Sequence, residues 1–221
     1  MAGMSKEKGS GWERSACQKL SMWVTNFQQE DVFWRSAMSG GRATVRGRKA
    51  QPAAEREKLN LANQVGDISA IDPAGALLMR MFVIECKFWR DMCFGHWNFN
   101  KDAGLYTEWH KVLVRAHECG KASMMLAKQN RIGEVCMVDK LGRDLLLGTL
   151  DDPSHLTLHA HYPTRNAYVY LLKDVLTDVD FNTVRAKYAH LYGDAQAMQA
   201  TTTTATIEER VRVFASEDDD E

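Results

Sequence analysis

An acid and a base stand two residues apart inside an apolar run, Met81-Phe82-Val83-Ile84-Glu85-Cys86-Lys87-Phe88. On an extended strand alternate side chains share a face, so Glu85 and Lys87 project to the same side. Burying either charge is costly unless it is paired or bound to an ion. Such a strand keeps the two only where they pair, where the sheet opens to solvent, or where they do chemistry. Taken alone the Glu-x-Lys is weak, because an ordinary Glu and Lys on an exposed strand end fit it as well. Asp67, in Gly66-Asp67-Ile68-Ser69-Ala70-Ile71, adds a second carboxylate on the preceding strand. Two carboxylates and an ammonium converging at one point suit a hard divalent cation and a water activated to attack phosphorus.

The elements between them must supply that convergence. Asp72-Pro73-Ala74-Gly75 has the residue types of a type I turn, and a hairpin folded tightly on it sets Asp67 opposite Arg80. Placing Asp67 opposite Glu85 calls for a wider hairpin loop, about Asp72 to Met79, or a bulge. The run Leu77 to Phe88 is apolar on both faces and reads as a central strand.

Around this pair, Trp12, Ala16, Leu20, Trp23 and Phe27 recur at helical spacing and predict a helix from Ser10 to about Gln29. A short strand is expected at Val32 to Met38 and a helix-compatible stretch at Pro52 to Asn63. Leu105, Trp109, Val112, Leu113 and Ala116 form the buried side of a helix from about Leu105 to Cys119, stopped by Gly120. Strands follow at Ala122 to Ala127 and Glu134 to Val138, then near Leu156 to His161 and Tyr168 to Leu172. A late helix spans Phe181 to Tyr192. Residues 195–206 are rich in Ala, Thr and Gln and lead into an acidic tail, a composition that predicts a flexible extension.

A chain of 221 residues, 45% hydrophobic, suits one domain. We expect residues 1–192 to form it, with residues 193–221 as the extension. No window approaches the ~20 apolar residues that span a bilayer, and five unpaired-looking cysteines without a CxxC suit a reducing compartment. A soluble, cytoplasmic protein is expected. The net charge of −1 conceals a tail, Glu217 to Glu221, that is wholly acidic, so the remainder is net basic. Arg42, Arg46, Arg48 and Lys49 lie together near three glycines with no acid among them. That is a basic loop suited to phosphates, although a charge run also serves as a solvated surface.

The series Gly11-Trp12-Glu13-Arg14, Arg35-Ser36-Ala37-Met38-Ser39-Gly40, Gly66-Asp67-Ile68 and Ile84-Glu85-Cys86-Lys87 resembles the PD-(D/E)xK nucleases, in particular the archaeal-type Holliday-junction resolvases and their phage and bacterial relatives. The resemblance covers about residues 10–130, with the compact core at about 10–138. It implies an α/β, restriction-endonuclease-like fold: a central mixed β-sheet flanked by helices, here with a C-terminal extension. It implies that Asp67, Glu85 and the backbone carbonyl of Cys86 ligate Mg²⁺, for which Mn²⁺ would substitute, and that Lys87 orients or activates the water. Glu13 would complete the metal shell. Ser10-x-x-Glu13 is equally a capping box at the start of the first helix, and the two readings stand side by side. Arg35 and Ser39 would grip a phosphate, Arg35 having Glu30 or Asp31 as alternative partners. The implied function is cleavage of branched DNA by a homodimer, since two symmetric nicks need two copies of a single constellation. Another nuclease of the same superfamily acting on linear DNA, or a non-catalytic DNA-binding protein on a nuclease fold, are the alternatives.

Two long segments, about Arg42 to Gln64 and Trp89 to Gly104, exceed what the compact resolvase core requires. The aromatics Phe88, Trp89, Phe94, Trp97 and Phe99 could stack on unpaired bases or simply pack. Cys93, His96, His117 and Cys119 match no compact zinc spacing. His155, His159 and His161 have no evident acid or nucleophile beside them. No Gly-x-x-x-x-Gly-Lys-Ser/Thr loop occurs, so no nucleotide cofactor is expected.

Overall fold

A computed structural model describes residues 3–36, 65–89, 104–129, 133–150 and 156–191. Helix α1, Gly3–Val24, opens the chain. It buries Trp12, Ala16, Leu20 and Trp23, the stripe expected from their spacing. Two of these indoles also donate at long range, Trp12 to the Leu126 carbonyl at 3.1 Å and Trp23 to the Val179 carbonyl at 2.7 Å. The helix stops where Asn26 and Phe27 take positive φ, and the Phe27 N–H closes the turn on the Met22 carbonyl at 2.7 Å.

A two-stranded antiparallel ribbon follows, β1 (Phe33–Arg35) on β2 (Ile68–Ala70), with Arg35 opposite Ile68. The next segment departs from the sequence expectation. Asp72 caps a single 3₁₀ turn, Pro73–Gly75, its carboxylate accepting from the Ala74 N–H at 2.8 Å. Helix α2, Ala76–Met81, continues directly from that turn, and β3 starts only at Phe82 (Phe82–Trp89). The predicted hairpin loop is thus a helical crossover. Leu77, Leu78, Met79 and Met81 are buried as helix rather than strand. A short apolar run does not itself tell a buried helix from a buried strand, and Asp72-Pro73 supplies a helix start.

The main sheet has five strands in the order β3-β4-β5-β7-β6. These are β4 (Ala122–Gln129), β5 (Gly133–Val138), β6 (Leu158–Tyr162) and β7 (Ala167–Leu171). Only β3 and β4 run parallel; the other pairs are antiparallel, so the sheet is mixed as expected. Helix α3, Gly104–Glu118, lies in the β3-to-β4 crossover and is followed by a turn at Gly120, whose φ is +65°.

Three short helices escaped the sequence reading or were misjudged in length: α4 (Lys140–Leu147), α5 (Leu172–Asp178) and α6 (Phe181–Tyr188). α4 is set by Asp139, whose two carboxylate oxygens accept from Gly142 N–H at 2.7 Å and from Ser123 N–H at 3.0 Å.

Alternation along the strands sends Phe82, Ile84, Cys86, Met124, Leu126 and Tyr170 to the layer containing α1, α2 and α4 to α6. Met125, Ala127, Met137 and Val169 face α3, where Trp109 is fully buried. Each buried Leu, Ile, Val, Phe or Met among them contributes roughly 1.5–3 kcal/mol by leaving water. Among the described residues no helix is long and apolar enough to cross a membrane.

Candidate active site

Gly66 brings the two halves of the candidate site together. It forms a parallel bridge with Ile84 of β3, at φ +106°. A Cβ at this position would overlap the Ile84 carbonyl oxygen, so only glycine lets the two backbones come so close. The Asp67 N–H then donates to the Ile84 carbonyl at 2.9 Å, and the Asp67 carbonyl accepts from Ser36 N–H at 2.8 Å. Carried on by one residue, the bridge register sets Asp67 beside Glu85. Asp67 thus meets β3 by parallel pairing after a crossover, not by the antiparallel hairpin.

The Asp67 carboxylate is held by the Cys86 N–H, which donates to Oδ2 at 2.9 Å. A strand residue sends its N–H and C=O to the same edge. The Cys86 carbonyl accordingly leaves β3 on the edge where the Asp67 carboxylate sits.

Glu85 is 5% exposed and carries a cation on each oxygen. Oε2 lies 3.4 Å from Lys87 Nζ, and Oε1 pairs with the Arg115 guanidinium of α3. Lys87 Nζ also lies 3.2 Å from Glu108 Oε2, and Glu108 Oε1 takes Lys111 Nζ at 2.5 Å. The result is an alternating series, Lys111, Glu108, Lys87, Glu85, Arg115, stretched between one helix and one strand. Glu108, Lys111 and Arg115 reach it because spacings of three and four align side chains on a helix. Burial raises the Glu108 carboxyl pKa, but the bonds from Lys111 and Lys87 outweigh it and hold the group below its ordinary value.

Glu108 and Arg115 were not recognised in the sequence. Their signal was present as Glu108-x-x-Lys111-x-x-x-Arg115, a charged row bordering the buried stripe of Leu105, Trp109, Val112 and Ala116.

On the other face of the sheet, Glu13 pairs with Arg35, Oε2 to Nε at 2.5 Å, and Arg35 Nη1 donates to Ser10 Oγ at 2.8 Å. Two expectations are corrected here. Ser10 lies inside α1, which begins at Gly3, so Ser10-x-x-Glu13 is not a capping box. Arg35 turns to Glu13 and Ser10 rather than to Glu30 or Asp31; Glu30 accepts from Gln18 at 3.1 Å.

Cys17 and Cys86 are buried free thiols. Burial, then Glu13, pushes Cys17 up to about 12, with Arg35 opposing and Asp67 adding. Burial, then Asp67, Cys17 and Glu13, raises Cys86 well above the thiol range. Glu13 and Asp67 thus act on the same pair of thiols from α1 and from the β3 edge.

Ser39, Arg42, Arg46, Arg48 and Lys49 lie outside the described residues, as do Cys93, Phe94, His96, Trp97, Phe99, His155 and the segment 193–221. Of the remaining aromatics, Phe88 and Trp89 pack against the two cores. His161 stacks on Tyr168 with centroids 4.2 Å apart. Among the described residues no three His, Cys, Asp or Glu side chains are gathered closely enough to hold a metal by themselves.

No curated protein and no solved structure matches the sequence. One family does, described as phage putative PDDEXK endonuclease, over residues 4–185. That span takes in Glu13, Arg35, Asp67, Glu85 and Lys87 together with all five strands of the mixed sheet. The fold is restriction-endonuclease-like, and the chain belongs to this PD-(D/E)xK endonuclease family.

Proposed function

We propose that this protein is a Mg²⁺-dependent DNA endonuclease whose reaction centre is Asp67, Glu85, the Cys86 carbonyl and Lys87, and that its substrate is branched DNA. The observation that carries the reading is the parallel docking of Gly66-Asp67 on β3, with the Asp67 carboxylate accepting from the N–H of Cys86, which stands between Glu85 and Lys87 in the chain.

The donor set suits a hard cation. Mg²⁺ takes oxygen ligands, commonly only one or two carboxylates, and keeps several waters. Two carboxylates and a strand-edge carbonyl meet that need without a third acidic side chain. A divalent cation there would supply Lewis acidity to the phosphate and lower the pKa of water. Asp67 is pre-aimed by the Cys86 N–H. Lys87, steadied between Glu85 and Glu108, presents an ammonium that orients a water and stabilises charge developing on the phosphate. Mn²⁺ is expected to substitute for Mg²⁺.

Glu13 holds Arg35 in an ion pair, and Arg35 would grip a phosphate once drawn from that pair. Arg42, Arg46, Arg48 and Lys49 would add sequence-independent grip on the backbone. Resolving a four-way junction needs two symmetric cuts, so the working unit proposed is a homodimer.

The test is cleavage of a four-way junction against linear duplex of the same arm sequences, in Mg²⁺ and in EDTA, with light scattering on the same sample. Junction cutting in Mg²⁺ alone by a dimer is expected. Equal cutting of linear duplex, or a strict monomer, would remove the junction assignment and leave a linear-DNA nuclease. Full activity in EDTA would remove the metal mechanism.

A further inference from the structure

We propose that Arg115 is a stand-in cation, which holds Glu85 while no divalent ion is bound and gives it up when one binds. The inference rests on the proposed role of Asp67 and Glu85 as ligands and concerns how that site is filled.

Glu85 is 5% exposed, and a carboxylate so buried is costly to keep ionised without a compensating cation. It has two, on different oxygens: Lys87 on Oε2 and Arg115 on Oε1. A divalent ion arriving beside both would place like charges within a few ångströms, where Coulomb repulsion is strong. One of the two must therefore yield.

Their anchoring decides which. Lys87 is also tied to Glu108 at 3.2 Å and stays on the strand that carries Glu85. Arg115 has its one ion pair among the described residues with Glu85. Its side chain is 33% exposed, a little more than the 27% of Lys87, so it has solvent to turn into. It also sits in the last turn of α3, where the negative end of the helix dipole favours a cation after release. Arg115 is thus a positioning residue: it keeps Glu85 aimed and charged in the empty site, and it weakens cation binding by competing for Oε1.

Calorimetric titration of the full chain with Ca²⁺, a hard oxygen-seeking probe, tests this. The samples are wild type, Arg115→Gln and Glu85→Gln, with melting temperatures recorded in EDTA and in Ca²⁺. Arg115→Gln should bind Ca²⁺ about tenfold tighter than wild type, melt lower in EDTA, and recover more of its melting temperature on adding Ca²⁺. A purely structural partner would instead weaken binding when removed. Equal or weaker affinity in Arg115→Gln, with wild type binding normally, overturns the inference and leaves the metal reading intact. No Ca²⁺ binding by wild type removes both.

Should Arg115→Gln not fold, the wild-type protein still decides. The Arg115 Nε–H resonance, assigned by its loss in Arg115→Lys, should shift and exchange faster with water on adding Ca²⁺. A resonance unmoved at saturating Ca²⁺ overturns the proposal.

Discussion

Gly66 meets Ile84 backbone to backbone, so closely that a Cβ on Gly66 would overlap the Ile84 carbonyl oxygen. Backbone cannot swing away as the end of a long side chain can, and φ at Gly66 is +106°. Gly66→Ala should therefore destabilise by roughly 2–4 kcal/mol, through strain and overlap together. By shifting Asp67 along β3 it should also cut cleavage about 100-fold. Urea melts and single-turnover cleavage read the two effects, and a variant of unchanged stability would show that the bridge is looser than described.

Asp67→Asn, Glu85→Gln and Lys87→Ala should each lower cleavage in Mg²⁺ at least about 100-fold while leaving DNA affinity within a few-fold, because charge stabilisation acts in the transition state. Their stabilities should differ. Asparagine retains an oxygen for the Cys86 N–H, so Asp67→Asn should melt near wild type. Glu85→Gln leaves Arg115 and Lys87 without their shared carboxylate and should lose roughly 1.5–3 kcal/mol. Equal melting of all three in denaturant would contradict the ion pairs around Glu85.

Glu13 and Arg35 form a partly exposed pair, with side chains 17% and 30% accessible. A double-mutant cycle on Glu13→Gln and Arg35→Ala should give a coupling of about 0.5–1 kcal/mol. Ser10→Ala should cost less than the ~1 kcal/mol of a lost helix cap, since Ser10 lies within α1. Zero coupling would show that Arg35 is free to meet DNA from the outset.

Acid should weaken the ion series through Glu108. Its pKa is lowered in the folded protein, so deprotonation favours the native state. The stabilisation is fully present above the unfolded value of about 4.3 and is lost as pH falls from there through the lower folded value. Wild type should exceed Glu108→Gln in melting temperature at pH 7, with the gap closing below about pH 4. A gap that persists at pH 3 would assign the difference to packing rather than charge.

Much of the site could be read from residue types and periodicity. Glu85 and Lys87 share a strand face because side chains alternate, whatever the neighbours. The helix over Gly104–Glu118 followed from its apolar stripe and Gly120. These are local properties, set within a few residues of chain. The path from Asp67 to β3 was not local in that sense. Ala76–Met81 is apolar enough for either a strand or a helix, and its burial against the α1 layer, with a capped start at Asp72, selected the helix. That choice converted an antiparallel hairpin into a parallel crossover that docks Gly66 and Asp67 on the edge of β3.

Partner identity was likewise beyond the sequence. Arg35 had acids nearby in the chain at Glu30 and Asp31, yet it pairs with Glu13, 22 residues away, because β1 packs along α1. Arg115 finds Glu85 across 30 residues of chain. Charge makes such residues seek partners, but packing of α3 on the sheet decides which one each can reach. The types and alternation of the candidate site were therefore written in the sequence, and its connections were settled only when the buried faces met.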